Sequence, residues 1–377
     1  MDELLARLRS QEFGALQGRV YLNHASLGTL PNRTVTALRA FDDDRASRGS
    51  ACIPKYKPVL ERTRAKLARW IGADIDEVAF TNTTPAGISI VASGVTWREG
   101  DNVITTALEF PANIHPWLNL ARRGVETRIV PAVGGRVGVR EIIAATDART
   151  RVVAVSWVMF SNGFRLDLAA LGAFCRSRGI YLVVDAIQGL GHLPIDVHEA
   201  NVDFLAAAAH KWMLSPYGGG CFYCRRELLN DLELSQVGQN SVVPTESYLS
   251  YEFVPKPDAS RFEPGVPNFG AVAGLEASLD LLVEAGIERI WEQVRSTTTR
   301  LTDGLLTAGY EVVSPRGEGE SSGIVSFTAG DAGATKDAFE RLEAAGIIVS
   351  LREGAVRVAP HFYNTTEEID GLLDCLK

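Results

Sequence analysis

Two apolar runs of the chain each end in residues that can carry chemistry. Residues 180–184 lead to Asp185, and residues 202–209 lead to His210 and Lys211. A lysine amine can form a Schiff base with a carbonyl group, and a carboxylate can keep a ring nitrogen protonated so that the ring withdraws electrons. The acid and the lysine, 26 residues apart from Asp185 to Lys211, are therefore the groups that pyridoxal 5'-phosphate (PLP) chemistry requires.

Both runs have the composition of strands that are buried on both faces of a parallel sheet. Residues 180–184 are continuously apolar, and residues 202–209 are apolar apart from Asp203. The carboxyl ends of neighbouring strands in open α/β sheets form a ligand crevice. We therefore expect Asp185 and Lys211 to face one cavity at that edge of a sheet.

Strand and helix patterns alternate from residue 77 onward, which predicts an α/β fold with a mostly parallel sheet covered by helices on both faces. The seven predicted strands of this sheet are 77–80, 102–106, 125–130, 151–156, 180–184, 202–206 and 220–224. The helices predicted between them are 84–94, 112–122, 139–146 and 168–178, and two more, at 34–47 and 56–71, precede the sheet.

The pattern changes in the C-terminal part of the chain and predicts a second, smaller domain. Residues 230–268 have little periodicity, and so long an irregular segment is usually functional. Two helices follow, separated near Gly286. The last predicted elements are strands at 310–313, 323–328, 347–350 and 355–358 and helices at 335–345 and 366–376. We expect a large domain over residues 14–280 and a small α+β domain over 281–377, joined by an N-terminal segment, 1–13.

Composition disfavours several classes of function. The 377 residues are 46% hydrophobic and 22% charged with a net charge of −8, which argues against non-specific binding to nucleic acid phosphates. No apolar run approaches the roughly 20 residues that span a bilayer. The five cysteines, an odd number, predict a reducing, cytoplasmic environment.

Cys221 and Cys224 form a C-x-x-C motif, which could indicate a redox or metal site. They lie in an apolar, strand-like run, where residues three apart point to opposite faces. No second cysteine pair completes a zinc site. We therefore interpret them as ordinary strand cysteines and predict no metal.

Five blocks of sequence follow one another along the chain. They are T-N-T-T (81–84), L-E-F-P-A-N (108–113), D-A-I-Q with A-H-K-W (185–188 and 209–212), R-F-E-P-G-V-P-N (261–268) and V-R-V-A-P-H-F-Y-N-T (356–365). Together they resemble the class V aminotransferase group of fold-type I PLP enzymes, which includes cysteine desulfurases, kynureninases and isopenicillin N epimerase-like proteins. Because the blocks span nearly the whole chain, the resemblance implies the fold-type I architecture, bound PLP, and a homodimer with active sites at the subunit interface.

The resemblance assigns four residues to the cofactor ring and its phosphate. Lys211 would form the Schiff base, and Asp185 would hold the proton on the pyridine nitrogen. Gln188 would donate to the phenolic oxygen of PLP, although a purely structural amide fits the sequence nearly as well. His210 would donate to the phosphate. The alternative for Asp185 is a helix N-cap for the turn that follows it.

Three more residues would contact the cofactor. Thr83 and Thr84 follow a predicted strand and open a predicted helix, where backbone N–H groups and hydroxyls can bind a phosphate. N-capping alone would also explain a threonine there. By resemblance, Phe110 would stack on the cofactor ring, and the alternative is an ordinary core phenylalanine.

Substrate contacts are implied for four residues. Arg357 matches the family's arginine that binds the substrate carboxylate through two parallel hydrogen bonds. The alternative is a surface arginine on an edge strand. Asn23 and His24 match the N-terminal segment that lines the substrate pocket, and Asn113 would lie nearby and face the substrate.

Several positions depart from the family pattern. Cysteine desulfurases carry a nucleophilic cysteine on a loop shortly before the arginine, whereas residues 350–355 are short and contain no cysteine. A persulfide-forming desulfurase is therefore disfavoured. Phe110 stands where desulfurases have a histidine, and it cannot carry protons. Ala208 replaces a hydroxyl-bearing residue that usually contacts the phosphate, and Val266 replaces a threonine that usually reaches the phosphate of the neighbouring subunit. Both losses predict weaker cofactor binding.

The sequence as a whole predicts a PLP-dependent enzyme that acts on an amino acid. The reaction would proceed through a Lys211 Schiff base, removal of the Cα proton and a quinonoid carbanion. We expect an aminotransferase-type reaction. The alternatives are a C–S/β-lyase or an epimerase on the same scaffold, or a non-catalytic protein of this fold. The segment F-S-N-G-F-R at 160–165 is most similar to the isopenicillin N epimerase-like branch. A nucleotide-dependent oxidoreductase is disfavoured because no G-x-G-x-x-G follows the first strand.

Overall fold

Helices and strands follow one another along the chain in an order close to the predicted one. The structure is a computed structural model that describes residues 1–16, 18–247 and 249–377. Its N-terminal part contains α1 (Glu3–Glu12), β1 (Val20–Tyr21), α2 (Asn32–Arg48) and α3 (Ile53–Ile71).

The middle part of the chain builds the central sheet. Its elements are β2 (Val78–Phe80), α4 (Thr84–Gly94), β3 (Asn102–Thr106), α5 (His115–Leu118), β4 (Glu126–Val130), α6 (Val139–Ala144), β5 (Thr150–Ser156), α7 (Leu168–Arg178), β6 (Tyr181–Asp185), β7 (Phe204–Ala208) and β8 (Gly220–Cys224). The seven strands have the order β2-β8-β7-β6-β5-β3-β4. Every neighbouring pair is parallel except the two pairs that involve β8. The predicted α/β class and mostly parallel seven-stranded sheet are confirmed.

Both faces of this sheet are covered. Strands β5, β6 and β7 are buried almost throughout, as their continuous apolar sequences predict. Cys221 and Cys224 on β8 belong to two different apolar clusters. Their side chains therefore lie on opposite faces of the sheet, which is the arrangement predicted for strand residues three apart.

One predicted helix is wrong. Residues 112–122 form no continuous helix but two 3-10 segments on either side of the four-residue α5, namely Pro111–Asn113 before it and Asn119–Arg123 after it. Pro116 has no N–H to donate to the carbonyl four residues earlier, and its ring would clash with that carbonyl. The chain therefore turns repeatedly in this region instead of following a single helical axis.

The C-terminal part forms a second sheet with its own helices. Its elements are α8 (Phe269–Ala285), α9 (Ile287–Thr307), β9 (Glu311–Val312), β10 (Val325–Thr328), α10 (Ala332–Ala344), β11 (Ile347–Ile348), β12 (Ser350–Arg352), β13 (Ala355–Val358) and α11 (Thr366–Leu376). Four strands pair antiparallel in the order β12-β13-β10-β9. Strand β11 pairs in parallel with β1, so the N-terminal segment joins this part of the molecule.

Gly286 separates α8 from α9, as predicted, and it adopts a φ of 80°. Glycine suits this position because left-handed backbone geometry is costly for residues with a side chain. The predicted boundary between residues 280 and 281 falls inside α8. The division into two domains at that point stays a prediction.

The irregular segment 230–268 contains one short 3-10 helix, Ala259–Phe262, and no α-helix or strand in its described residues. Its described residues expose seven large apolar side chains, those of Val237, Val243, Leu249, Tyr251, Phe253, Val254 and Val266. None of the described helices of the protein is long and apolar enough to cross a bilayer.

Candidate active site

A cavity of about 360 Å³ opens beside the carboxyl ends of β6 and β7. Eight of the eleven predicted site residues line it, namely Thr83, Thr84, Phe110, Asp185, Gln188, His210, Lys211 and Arg357. The volume lies in the range of small-molecule sites. The parallel sheet thus brings Asp185 and Lys211 to one cavity, as the two apolar runs predict.

Backbone contacts fix the turn that carries Lys211. The Leu214 N–H donates to the Lys211 carbonyl (3.1 Å), and the Gly28 N–H donates to the His210 carbonyl (2.8 Å). A Cβ atom on Gly28 would lie 2.1 Å from the Lys211 carbonyl oxygen. Only glycine permits so close an approach, and it packs the N-terminal segment directly against the lysine.

The surroundings of Lys211 favour its neutral amine. Burial lowers the pKa of Lys211 to about 8; Asp185 acts in the opposite direction, and Arg357 and Arg352 lower the pKa further. A lysine with this pKa is partly deprotonated near neutral pH, so its amine can act as a nucleophile or a base.

Asp185 ends β6 and is 2% exposed. Its Oδ1 accepts a hydrogen bond from the Ile187 N–H (2.9 Å) and so caps the turn that follows, as the capping alternative predicts, although no helix begins there. Burial raises the pKa of Asp185 to about 6, although the Ile187 N–H and Lys211 oppose this shift. Among the described residues Asp185 forms no salt bridge. A buried carboxylate of this kind suits a protonated ring nitrogen as its partner.

Phe110 is a cavity residue and not a core residue. Its side chain is 45% exposed, and its ring centroid lies 5.6 Å from Lys211 Nζ. The ring of Phe160 packs edge-on against it at 5.2 Å. The alternative of an ordinary core phenylalanine is therefore wrong, and the ring is free to cover a planar ligand beside the lysine.

The start of α4 offers the predicted anion site. Thr83 caps the helix, with its Oγ1 accepting from the Ala86 N–H (3.3 Å). Thr84 Oγ1 accepts from the Ala208 N–H (3.0 Å), which leaves the hydroxyl hydrogen of Thr84 available to a phosphate. Ala208 thus contributes its backbone N–H to the site, although it lacks a hydroxyl.

Two other residues were also considered as phosphate contacts, His210 and Val266, and only His210 lines the cavity. The His210 ring lies 4.8 Å from the Tyr217 ring. Burial and the neighbouring Lys211 lower the pKa of His210 to about 4, so the neutral ring can still donate one N–H. Val266 is 74% exposed, and it does not line the cavity.

Arg357 is buried in the middle of the C-terminal sheet. It lies on β13, between β12 and β10, and is 2% exposed, so the alternative of a surface arginine on an edge strand is wrong. Its Nη1 donates to the Phe160 carbonyl (2.5 Å) and its Nη2 to Ser26 Oγ (2.7 Å). Its Nε has no partner among the described residues. Burial lowers the pKa of Arg357 to about 10, and Arg352 adds to this shift. An anionic ligand would offset the cost of the buried charge.

Both ends of the Gln188 amide are held by the protein. Nε2 donates to the Ala25 carbonyl (2.9 Å), and Oε1 accepts from Trp212 Nε1 (2.9 Å). One Nε2 hydrogen remains for a ligand in the cavity. The amide therefore serves the structural role that the sequence left open, and its contact with PLP stays a prediction.

Three predicted substrate residues lie away from the cavity lining. His24 is fully buried, with its ring nitrogens bonded to the Ala359 carbonyl (2.8 Å) and the Tyr363 hydroxyl (2.7 Å). Asn113 is also fully buried, and its amide is bonded on both sides by the protein. Asn23 pairs through its backbone with Ala359. These positions do not match the expectation that the three residues face the substrate.

The residues that take those places were not singled out in the sequence. Ala25 and Ser26, in the same N-terminal segment, line the cavity. Arg352 lines it as well, and its side chain is exposed. The serine in N-H-A-S-L-G and the arginine in S-L-R-E-G were the available signals, but the spacing alone does not show which side chain faces inward.

A tight hairpin closes the segment where desulfurases carry their cysteine loop. Strands β12 and β13 are joined by Glu353 and Gly354, with φ of 47° and 78°, as in two-residue hairpin turns. None of the five cysteines lines the cavity. Burial raises the pKa of Cys175 and Cys221 to about 12, so neither is a thiolate. No group of three His, Cys, Asp or Glu side chains in the described residues could hold a metal.

Comparison with known proteins decides the family. The model of the aminotransferase class-V family matches residues 20–372. The chain belongs to this family. A probable cysteine desulfurase of Methanothermobacter thermautotrophicus is 32% identical to it. The alignment is 386 residues long and covers 96% of this chain and 95% of the relative.

Two solved structures that are similar to this class V chain contain bound ligands. The cystine C–S lyase C-DES in complex with its product, cysteine persulfide, has a TM-score of 0.89 and 26% identity over 97% of this chain and 99% of that one. A lysine-to-alanine variant of C-DES with glycine linked covalently to its PLP cofactor has a TM-score of 0.90 and 25% identity over 98% of both chains.

This class V chain is a PLP-dependent enzyme with the fold of type I, and the residues of its cavity fit the cofactor. The cavity combines an amine with a lowered pKa, a carboxylate that is buried and forms no salt bridge with any described residue, and a hydroxyl hydrogen at the start of a helix. Lys211, Asp185 and Thr84 are thus the residues that would hold its aldehyde carbon, ring nitrogen and phosphate.

Proposed function

We propose that this enzyme is a C–S lyase that removes a sulfur-linked group from the β-carbon of an amino acid. The observation that carries the proposal is a cavity with two arginines, Arg352 and Arg357, and no thiol among its described residues. Without a protein thiol to accept it, the sulfur departs as part of the substrate's own leaving group. The likeness to the cystine C–S lyase C-DES supports this reaction.

Four side chains have separate roles in the proposed reaction. PLP, when bound, withdraws electrons from the Cα atom of the amino acid attached to it. Lys211 removes the Cα proton as the general base. Asp185 keeps a proton on the ring nitrogen, and Phe110 covers the ring and excludes water from it. Arg357 binds the α-carboxylate through the Nη hydrogens that the Phe160 carbonyl and Ser26 Oγ leave free.

Arg352 extends the binding site outward. In the β12–β13 hairpin Ser350 pairs with Arg357 and Arg352 pairs with Ala355. Side chains at alternate positions share a face of the ladder, so both arginines project from the same face. Arg352, nearer the turn, is exposed and has no salt bridge among the described residues. A substrate with a carboxylate at each end would contact both arginines.

Cystine meets these requirements. Elimination breaks one Cβ–S bond, and the electron pair leaves with the sulfur as cysteine persulfide. The Cα proton is taken by Lys211 and returned to the products. Water then converts the three-carbon fragment into pyruvate and ammonia, so that one cystine and one water yield one persulfide, one pyruvate and one ammonia without any added oxidant or reductant.

Product analysis of the PLP-loaded enzyme with cystine tests the proposal. We expect pyruvate, ammonia and cysteine persulfide in equal amounts. The aminotransferase-type reaction expected from the sequence stays a prediction, and it would give an oxo acid without release of ammonia. An epimerase would give only racemised substrate. Either result, or no product from any of a panel of amino acids, would contradict a C–S lyase.

We further expect the enzyme to act as a homodimer. In segment 230–268, Leu249, Tyr251 and Phe253 are 79%, 87% and 62% exposed. Exposed apolar clusters mark interaction surfaces. Val266, in the same segment, stands where the resemblance places a contact with the neighbouring subunit. A reducing, cytoplasmic location stays a prediction.

A further inference from the structure

Glu109 does not line the cavity and has no part in the chemistry described above. It is 7% exposed and directly precedes Phe110 in the chain. Its carboxyl group accepts hydrogen bonds from Thr106 Oγ1 (3.1 Å), Ser156 N–H (2.8 Å), Ser156 Oγ (2.5 Å) and Asn113 Nδ2 (2.9 Å). No cation pairs with it among the described residues.

These donors come from the ends of two neighbouring strands and from the turn after Phe110. Thr106 ends β3 and Ser156 ends β5. Ser156 is the cross-strand neighbour of Asp185 on β6. The carboxyl group of Glu109 therefore connects the turn that carries the ring of Phe110 to the strand end beside the acid.

We propose that Glu109 is a positioning residue that holds the ring of Phe110 at a fixed place relative to Asp185. This inference rests on the proposed role of the cavity as the PLP site, since Phe110 would cover the cofactor and Asp185 would contact its ring nitrogen. It does not depend on which reaction the enzyme catalyses.

The geometry requires an acceptor at both oxygens of residue 109. The amide of Asn113 is fixed because its Oδ1 accepts from Trp117 Nε1 (3.1 Å), so its Nδ2 must donate to Glu109. The Ser156 N–H is a donor in every state. A glutamine at position 109 would therefore direct its NH₂ group at one of these two donors whichever way the amide is turned.

A second substitution can turn one of the two donors that face residue 109 into an acceptor. In the double variant Glu109→Gln/Asn113→Asp, the introduced glutamine accepts from the Ser156 N–H and donates to the introduced carboxylate, whose other oxygen still accepts from Trp117. The Ser156 N–H, Trp117 Nε1 and the introduced amide then each have an acceptor, and the Ser156 hydroxyl can turn to accept from that amide. Asn113→Asp alone would instead place two carboxyl groups against each other, which is unfavourable when both are ionised.

The experiment compares wild type, the two single variants and the double variant, each loaded with PLP. Visible circular dichroism per bound cofactor reports how firmly the ring is held, and thermal unfolding reports stability. In Glu109→Gln we expect the dichroism to fall severalfold and PLP affinity to fall roughly tenfold, since a buried donor is left unsatisfied. The double variant should recover most of both losses.

Two results would overturn the proposal. One is a Glu109→Gln protein that loses thermal stability but keeps the wild-type dichroism per bound cofactor, which would make Glu109 merely structural. The other is a double variant that remains as impaired as Glu109→Gln. Because both readouts concern bound PLP and not turnover, an enzyme that fails to cleave cystine would still provide a valid test of Glu109.

Discussion

At the scale of single residues, the pKa of Lys211 has a direct experimental consequence. The folded chain lowers this pKa from 10.5 to about 8, so the neutral amine becomes dominant as the pH rises through 8. In PLP-free protein we expect the rate of covalent PLP attachment to rise about tenfold between roughly pH 7 and pH 9 and then level off. Stopped-flow absorbance measures this rate.

An ordinary lysine would behave differently over the same range. With a pKa near 10.5 the rate would rise about a hundredfold from pH 7 to pH 9 and would continue to rise. Such a profile would contradict the proposed environment of Lys211. Lys211→Ala serves as the control for attachment at other lysines.

Arg352 should determine how well the enzyme binds a second anionic group. Arg352→Gln removes an exposed charge at the mouth of the cavity, and we expect KM for cystine to rise about two- to fivefold, as for other exposed ion pairs. KM for S-methylcysteine, which lacks the distal carboxylate, should remain within error. Equal effects on both substrates would remove Arg352 from substrate selection.

Arg357→Gln provides the comparison, because this arginine would contact the carboxylate that both substrates share. It is buried, and loss of a buried partner of a charged group is costly. We expect KM to rise for cystine and S-methylcysteine alike, and by more than in Arg352→Gln. Steady-state kinetics with the two substrates measures both variants.

The identity of several site residues could be read from the sequence because they follow buried strands. Asp185 and Lys211 come directly after apolar runs, and the edge of a parallel sheet determines where such residues lie. His24 and Asn113 could not be assigned in this way. Both are polar residues in matching motifs, but their hydrogen-bonding atoms are used inside the protein, and a sequence does not show which polar groups are already bonded.

At the scale of elements, the start of α4 links the fold to phosphate binding. Thr84→Val keeps the shape of the side chain but removes the hydroxyl that accepts from the buried Ala208 N–H. An unsatisfied buried donor costs about 1–3 kcal/mol, so the free energy of unfolding should fall by about that amount. PLP affinity should fall as well, because the donor to the phosphate is lost.

Thr84→Ser is the matched control, since it retains the hydroxyl. Equilibrium denaturation and fluorescence titration with PLP should place it close to wild type. If Thr84→Val bound PLP as tightly as Thr84→Ser, the helix start would not be the phosphate site.

The elements that the sequence misplaces have local causes. Patterning predicts the buried strands of the central sheet well, because their apolar runs are continuous. It fails at residues 112–122, where apolar periodicity suggests a helix and Pro116 prevents one. The hairpin turn at Glu353 and Gly354 depends on two residues with positive φ. The short, cysteine-free segment was visible in the sequence, but its projection of two arginines from one face was not.

At the scale of the whole molecule, the exposed apolar side chains of segment 230–268 predict self-association. We expect sedimentation velocity at micromolar concentration to show a species of about twice 40.8 kDa, since a stable interface buries roughly 1,200–2,000 Å². Leu249→Asp with Phe253→Asp should shift the protein toward the monomer. Wild-type protein that sediments only as a monomer would contradict the homodimer.

Much of the site is built from parts of the chain that are distant from one another in sequence. The N-terminal segment packs on the lysine turn through Gly28 and pairs with β11 through β1. These long-range contacts depend on the complete fold, which local patterns do not describe. The predicted boundary at residue 280 lies inside α8, and proteolysis of the native enzyme would show whether the chain divides there.

Identification of the lysine that binds PLP is the most direct test of the proposed active site. The protein is incubated with PLP, reduced with borohydride to make the attachment permanent, digested, and analysed by mass spectrometry. We predict that the cofactor is found on the peptide that contains Lys211, and that Lys211→Ala carries none there. Attachment mainly at another lysine, or to the same extent in Lys211→Ala, would show that this cavity is not the active site.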